Sequence, residues 1–97
     1  MALTFEWDRR KAASNLRKHK VSFEEAITVF DNPIALIFDD EKHFTDEEQR
    51  EIIIGHSARN HLLLVSFTER KNDVIRIISA RPATKKEHRN YEENAKF

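Results

Sequence analysis

The sequence predicts an α+β domain: an antiparallel sheet of four to five strands with two N-terminal helices on one face and a C-terminal helix, in the order β-α-α-β-β-β-β-α. Three observations carry this. Apolar stretches at 49–57, 61–69 and 73–81 are joined only by the short turns "ARN" and "RKND", the mark of an antiparallel meander. Two helix-start signals followed by helical apolar spacing precede them, and a third follows. No internal repeat or linker divides the 97 residues, so one domain spanning 1–97 with a single modest core is expected.

Taken in order, "LTFEW" alternates as a short strand. "WDRRKAASNLRKHK" then reads as a helix with Asp8 as N-cap and Trp7 stapled against Ala12. Arg9, Arg10 and Lys11 occupy its first turn, where the helix dipole disfavours exposed cations by about 0.3–1 kcal/mol each at low salt. Local stability did not select them, which points to a ligand or an acidic partner. Arg10, Ser14, Arg17 and Lys18 share one face, Ala12, Ala13 and Leu16 form the packing side, and His19 suits the C-terminal end as a cap. In "VSFEEAITVFDNP", Ser22 and Glu25 form a capping box, and Phe23, Ala26, Ile27 and Phe30 recur with helical spacing until Asn32-Pro33 ends the helix. "IALIFD" is a strand and "DDEKHFTDEE" a charged, mobile connection. After the meander, Thr84 and Glu87 open the last helix with a second capping box, and His88, Tyr91 and Ala95 are its inner stripe.

Composition narrows the function classes. An apolar fraction of 39% beside a charged fraction of 35% describes a water-soluble folded chain. With no cysteine there is no disulfide framework or thiolate metal site, and no apolar run approaches the roughly 20 residues of a membrane span. The start "MALTFEWDRRKAA" has no uninterrupted apolar stretch, so a cytoplasmic protein without a secretion signal is expected. No Gly-rich phosphate loop or Gly-x-Ser-x-Gly elbow occurs. His56 and His61 have poor metal spacing, and the acidic run around His43 lacks the glycine of a calcium loop; neither metal nor cofactor is expected. The formal charge of zero hides a segregation: residues 1–20 carry +4, residues 21–48 carry −8 and residues 49–97 carry +4. If the fold joins the two basic ends, they form one positive surface.

Strand alternation puts Ile75, Ile77 and Ser79 on one side and Val74, Arg76 and Ile78 on the other. It also groups Arg50, His56, Ser66, Thr68 and Arg76 on the face away from the first two helices, as a shallow groove. Metal-free RNA cleavage needs a base for the 2′-hydroxyl, cations for the phosphate and an acid for the leaving oxygen. His56, His88, Tyr91 and Glu69 can move protons, while Arg76, Arg81 and Arg59 can clamp phosphate in bidentate fashion. An equally plain reading of the last helix is a terminal helix docked through Tyr91 with solvated charges.

The stretches "FEWDRRKAASNLRKHKVSFEEAITVFDNP", "REIIIGHS" and "IRIISARPATKKEHRNYEE" resemble the BrnT family of type II toxins, in order and over nearly the whole chain. The most specific parts are F-E-W-D, K-H-x-V-S-F-E-E-A, and R-I-I-S-A-R followed by the helical E-x-x-x-Y. The resemblance implies a RelE-like fold and a metal-independent endoribonuclease that halts translation. It also implies neutralisation by a BrnA-like, ribbon-helix-helix antitoxin and operator DNA bound only through the complex. The resemblance assigns no chemical roles; reading the residues as a ribonuclease site puts Arg76 and Arg81 on the scissile phosphate, has His56, Tyr91 or His88 moving protons, and has Lys11, Lys18, Arg50 and Arg59 gripping RNA. A common member has Gly where this chain has Lys20, and often a second basic residue where it has Pro82. The other reading is a binding module without catalysis, serving as a co-repressor or a degenerate toxin, with segment 39–48 and helix 8–20 as its surfaces.

Overall fold

The computed structural model describes residues 3–43 and 49–94. The chain runs β1 (Thr4–Glu6), α1 (Arg9–His19), α2 (Phe23–Ile27), a 3-10 turn (Thr28–Asp31), β2 (Leu36–Asp39), a second 3-10 turn (Glu41–His43), β3 (Arg50–His56), β4 (Leu62–Arg70), β5 (Val74–Pro82) and α3 (Lys85–Asn94). The predicted element order holds. The rest of the connection over 44–48, including Asp46 and Glu47, and Ala95 of the proposed inner stripe lie outside the described residues.

The sheet is mixed rather than antiparallel. Its strand order is β1-β5-β4-β3-β2, and β1 runs parallel to β5, with Thr4 opposite Val74 and Glu6 opposite Arg76. The reason is topological: the chain leaves β1 through two helices and returns along its flank only with the last strand, as a crossover connection requires. The remaining pairs, β2 with β3, β3 with β4 and β4 with β5, are antiparallel, as the short turns predict.

A bulge in β5 corrects the face assignment. Ser79 pairs with Ser66 and Ile77 with Phe67, so Ile78 is an extra residue and the alternation reverses beyond it. Ile75, Ile77 and Ala80 are the buried residues on the helix side, while Ser79 and Arg81 pass to the opposite face. Strict period-two reading, which put Ser79 with Ile75, fails at this residue.

The main core joins Phe23, Ala26 and Val29 to Ile53, Leu63, Val65, Phe67, Ile75, Ile77 and Ala80. Rings extend it: Phe5 meets Phe30 at 5.1 Å, Phe30 meets Phe67 edge-on at 5.0 Å, and Trp7 meets Phe23 edge-on at 5.9 Å. Trp7 is thus a packing residue. The second helical segment is shorter than its apolar spacing suggests, because Thr28 turns its hydroxyl onto the Glu25 carbonyl at 2.6 Å and the chain tightens into the 3-10 turn. The face opposite α1 and α2 is not wholly open either. At one end α3 lays Tyr91, 4% exposed, over Ile54 and Leu62, with Ile34, Leu36 and Ala83 around them.

Caps fix the helix ends. The Asp8 carboxylate accepts from the N–H groups of Arg10 (2.8 Å) and Lys11 (3.0 Å); the Lys11 bond chiefly holds its pKa below the ordinary value. Thr84 and Glu87 make the full reciprocal box, N–H to carboxylate at 2.9 Å and N–H to hydroxyl at 3.1 Å. Ser22 caps the Glu25 N–H at 3.0 Å, but the Glu25 carboxylate does not reach back and completes no box. Lys20 closes α1 in the left-handed region, with φ of 61°.

Candidate functional site

The C-terminal end of β5 is where α1, the β3–β4 turn and α3 meet. Asn15, buried inside α1, accepts from the Ala80 N–H at 3.0 Å and donates to the carbonyls of Ala80 (2.8 Å) and Val21 (3.0 Å). These bonds fix the end of α1 against β5. The sole glycine, Gly55, lets β3 pass the 32–35 turn: a Cβ there would stand 2.8 Å from the Ala35 Cβ and 3.0 Å from Asn32 Oδ1. Tyr91 anchors α3 by donating its hydroxyl to the Ile34 carbonyl at 3.0 Å, and burial pushes the phenol pKa up.

These anchors enclose a concavity of about 380 Å³ lined by His19, Lys20, His56, Asn60, His61 and His88 over a floor of Val21, Leu62, Leu63 and Pro82. Four of the five histidines therefore face one space. His56 lies edge-on to Tyr91 at 5.7 Å, and His88 Nδ1 lies 2.6 Å from the Glu92 carboxylate on the next turn of α3. His19 also lines a second, shallower concavity of about 190 Å³ with Lys11, Ser14, Lys18, Ile78 and Ser79. His19 lines both concavities, with lysines around one and the other three imidazoles around the other. Imidazole is the side chain suited to giving and taking protons near neutral pH, and ammonium groups suit a phosphate chain. Among the described residues, no three His, Cys, Asp or Glu side chains come together as a metal-ligand set.

The expected site residues divide between two ends of the sheet. His56, His88 and Tyr91 come together, since His56 and His88 line one space and the His56 ring meets Tyr91; Arg81 instead lines the wider concavity with Ser66 and Ser79, and its guanidinium grips Glu87 at 2.7 and 2.8 Å. That fork raises the pKa of Arg81 and holds Glu87 down at about 2. Arg59 belongs to the adjoining turn and is exposed. Lys11 and Lys18 line the shallower concavity that shares His19.

Arg76 and Arg50 stand apart. Arg50, Thr68 and Arg76 form one cross-strand row, whereas His56 pairs with Leu62 six residues along β3, about 20 Å away at strand rise. Arg76 donates to Glu6 of β1 at 2.7 Å, a contact created by the parallel pairing. The predicted groove thus has its members on one face but not in one place. The wider concavity on that face, about 750 Å³, is lined by Phe38, Asp39, Asp40, Glu41, Ser66, Ser79 and Arg81 among others, and its rim is acidic.

Sequence reading passed over His61, His19 and Glu25 as site residues. Glu25 Oε2 accepts from Ser57 Oγ at 2.7 Å and lies 2.8 Å from His61 Nδ1. Burial raises the Glu25 pKa, but the Ser57 hydroxyl and the His61 ring outweigh it and leave the carboxyl below its ordinary value. Glu25 and His61 are 36 positions apart, and no local spacing signals their contact.

A family model described as "Ribonuclease toxin, BrnT, of type II toxin-antitoxin system" matches residues 7–87. Among solved structures, the fold is similar to the 1.1 Å crystal structure of the Brucella abortus ribonuclease toxin, BrnT. The TM-score is 0.65 with 21% identity, covering 87% of this chain and 100% of that one, which is a likeness of fold. No curated protein sequence matches the chain.

Proposed function

This chain belongs to the BrnT family of ribonuclease toxins of type II toxin–antitoxin systems, and on that premise we propose that it cleaves RNA by metal-independent acid–base chemistry in the histidine-lined pocket at the end of β5. The observation that carries this reading is the gathering of four imidazoles around one space, one of which, His19, also lines the concavity of Lys11 and Lys18. RNA enters along the lysines, which neutralise backbone phosphates, and its scissile phosphate lies among the imidazoles. His56 and His88 move protons. Arg81 meets the phosphate when its fork opens from Glu87, and Arg59 flanks it. Tyr91 serves by holding His56 and α3. Arg76 and Arg50, at the far end of the sheet, reach only flanking nucleotides.

The family implies an antitoxin partner and an RNA substrate. We read the partner as a BrnA-like ribbon-helix-helix protein that supplies the operator-binding part of the complex, and the fold as the RelE-like ribonuclease scaffold. No described helix is long and apolar enough to cross a membrane. A cytoplasmic site of action fits an RNA target.

A second reading, a binding module without catalysis, draws on Ile37 and Phe38, which are 56% and 48% exposed on edge strand β2 next to Asp39, Asp40 and Glu41. The test is incubation of the purified, antitoxin-free protein with total RNA, and separately with translating ribosomes, in EDTA where the ribosome permits, mapping new 5′ ends. Cleavage by wild type that His56→Ala, His88→Ala or Arg81→Ala each weakens supports the pocket. A folded wild type inert in both settings, and harmless when induced without antitoxin, leaves the binding module.

A further inference from the structure

The turn between β3 and β4 is bound to α2 by a continuous polar network. Ser57, 6% exposed, donates its hydroxyl to Glu25 and accepts from the N–H groups of Arg59 (3.2 Å) and His61 (3.3 Å). The Ala58 N–H donates to Thr28 Oγ1 at 2.8 Å. In the centre the Glu25 side chain is 8% exposed, whereas the His61 ring it touches is 56% exposed and lines the pocket. A buried carboxylate that holds one nitrogen of an exposed imidazole is the arrangement that fixes ring orientation and tautomer. An ion pair to so exposed a partner adds little stability by itself.

From this geometry we infer that His61 is the proton acceptor of the cleavage reaction and that Glu25 is its positioning residue, an assignment that rests on the ribonuclease reading above. Glu25 keeps the proton on Nδ1, leaving the Nε2 lone pair for substrate. Nε2 takes the proton of an RNA 2′-hydroxyl, and the 2′-oxygen forms a bond to the adjacent phosphorus. The bond from phosphorus to the 5′-oxygen breaks, and protonated His56 or His88 gives that oxygen its proton. The products are a 2′,3′-cyclic phosphate and a 5′-hydroxyl end, with no water or metal consumed.

The test combines kinetics with long-range ¹H–¹⁵N NMR of the histidine rings. Wild type is expected to show His61 in the Nδ1–H form. Glu25→Ala should shift it toward Nε2–H, and Glu25→Gln, which keeps an acceptor, should retain Nδ1–H. In cleavage, His61→Ala is expected to lose about 10²–10⁴-fold in kcat. Glu25→Ala should lose part of that with KM little changed, and Glu25→Gln should recover part. His61 is exposed, so its variant stays folded even if Glu25→Ala does not. An active wild type beside a fully active His61→Ala, or an Nε2–H ring in wild type, overturns the assignment and leaves the ribonuclease reading standing. A wild type inert on both free RNA and ribosomes overturns both together.

Discussion

Asn15 satisfies both hydrogen-bonding groups of Ala80, accepting from its N–H at 3.0 Å and donating to its carbonyl at 2.8 Å, and so joins α1 to β5 across 65 residues. Asn15→Ala leaves the Ala80 and Val21 groups buried and unpaired, and should cost about 2–4 kcal/mol. Urea unfolding followed by circular dichroism measures it. A loss under about 0.5 kcal/mol, the range of an ordinary surface change, would mean the contact is dispensable.

Glu51 lies beside Glu69 and faces Asp39 across the β2–β3 pair; burial first, then the Glu69 hydrogen bond and the two negative charges, raise its pKa to about 7. The folded state therefore keeps a proton that the unfolded chain releases above about pH 4.5. This contribution is fully present below that pH and is lost as pH rises through 7, with a swing of order 2 kcal/mol. The urea midpoint should fall between pH 5 and pH 8 in wild type, and Glu51→Gln should flatten the fall.

The opposite sign holds at Glu87, whose pKa of about 2 lies below its ordinary value. Its fork with Arg81 stabilises the fold fully above about pH 4.5, and that contribution disappears as pH drops through 2. Side-chain exposures of 37% for Arg81 and 28% for Glu87 let solvent screen the pair, so the loss is of order 1 kcal/mol. Together with Glu51, this places the stability maximum near pH 5, which melts across pH 2–9 will locate. Glu87→Gln should remove the acid limb assigned to the fork.

Lys20 holds φ at 61°, a region unfavourable to side chains with a Cβ by about 1–2 kcal/mol. Lys20→Gly relieves that and loses some unfolded-state restriction, for an expected net gain of about 0.5–1 kcal/mol. A lower urea midpoint in the variant would show that the lysine makes compensating contacts.

Gly55→Ala puts a Cβ within 2.8 Å of the Ala35 Cβ and 3.2 Å of its Cα, so β3 or the 32–35 turn must move. We expect a destabilisation of about 1–3 kcal/mol, and weaker RNA cleavage because His56 is the next residue. A variant with unchanged stability and cleavage would mean the turn yields freely.

The sequence made the local devices legible. The caps at Asp8, Ser22 and Thr84 and the two hairpin turns all follow from short-range chemistry. The features it hid are those no local period carries. The extra Ile78 reverses the facing of Ser79 and Arg81, and the return of β5 alongside β1 turns the sheet mixed and gives Arg76 to Glu6. The meeting of Glu25 with His61 depends on two elements packing together, so in the sequence Glu25 reads as half of a capping box and His61 as a histidine with poor metal spacing.

The parallel pairing of β1 with β5 also sets the order in which the sheet can be completed. β1 has no sheet partner until β5 has been made, and contacts this distant in sequence form late and slowly. A chain stalled before Val74 has neither the floor residue Pro82 nor α3 with its His88, and should be digested throughout by protease. If the proposed pocket is where RNA is cut, cleavage should appear only once β5 and α3 have been made.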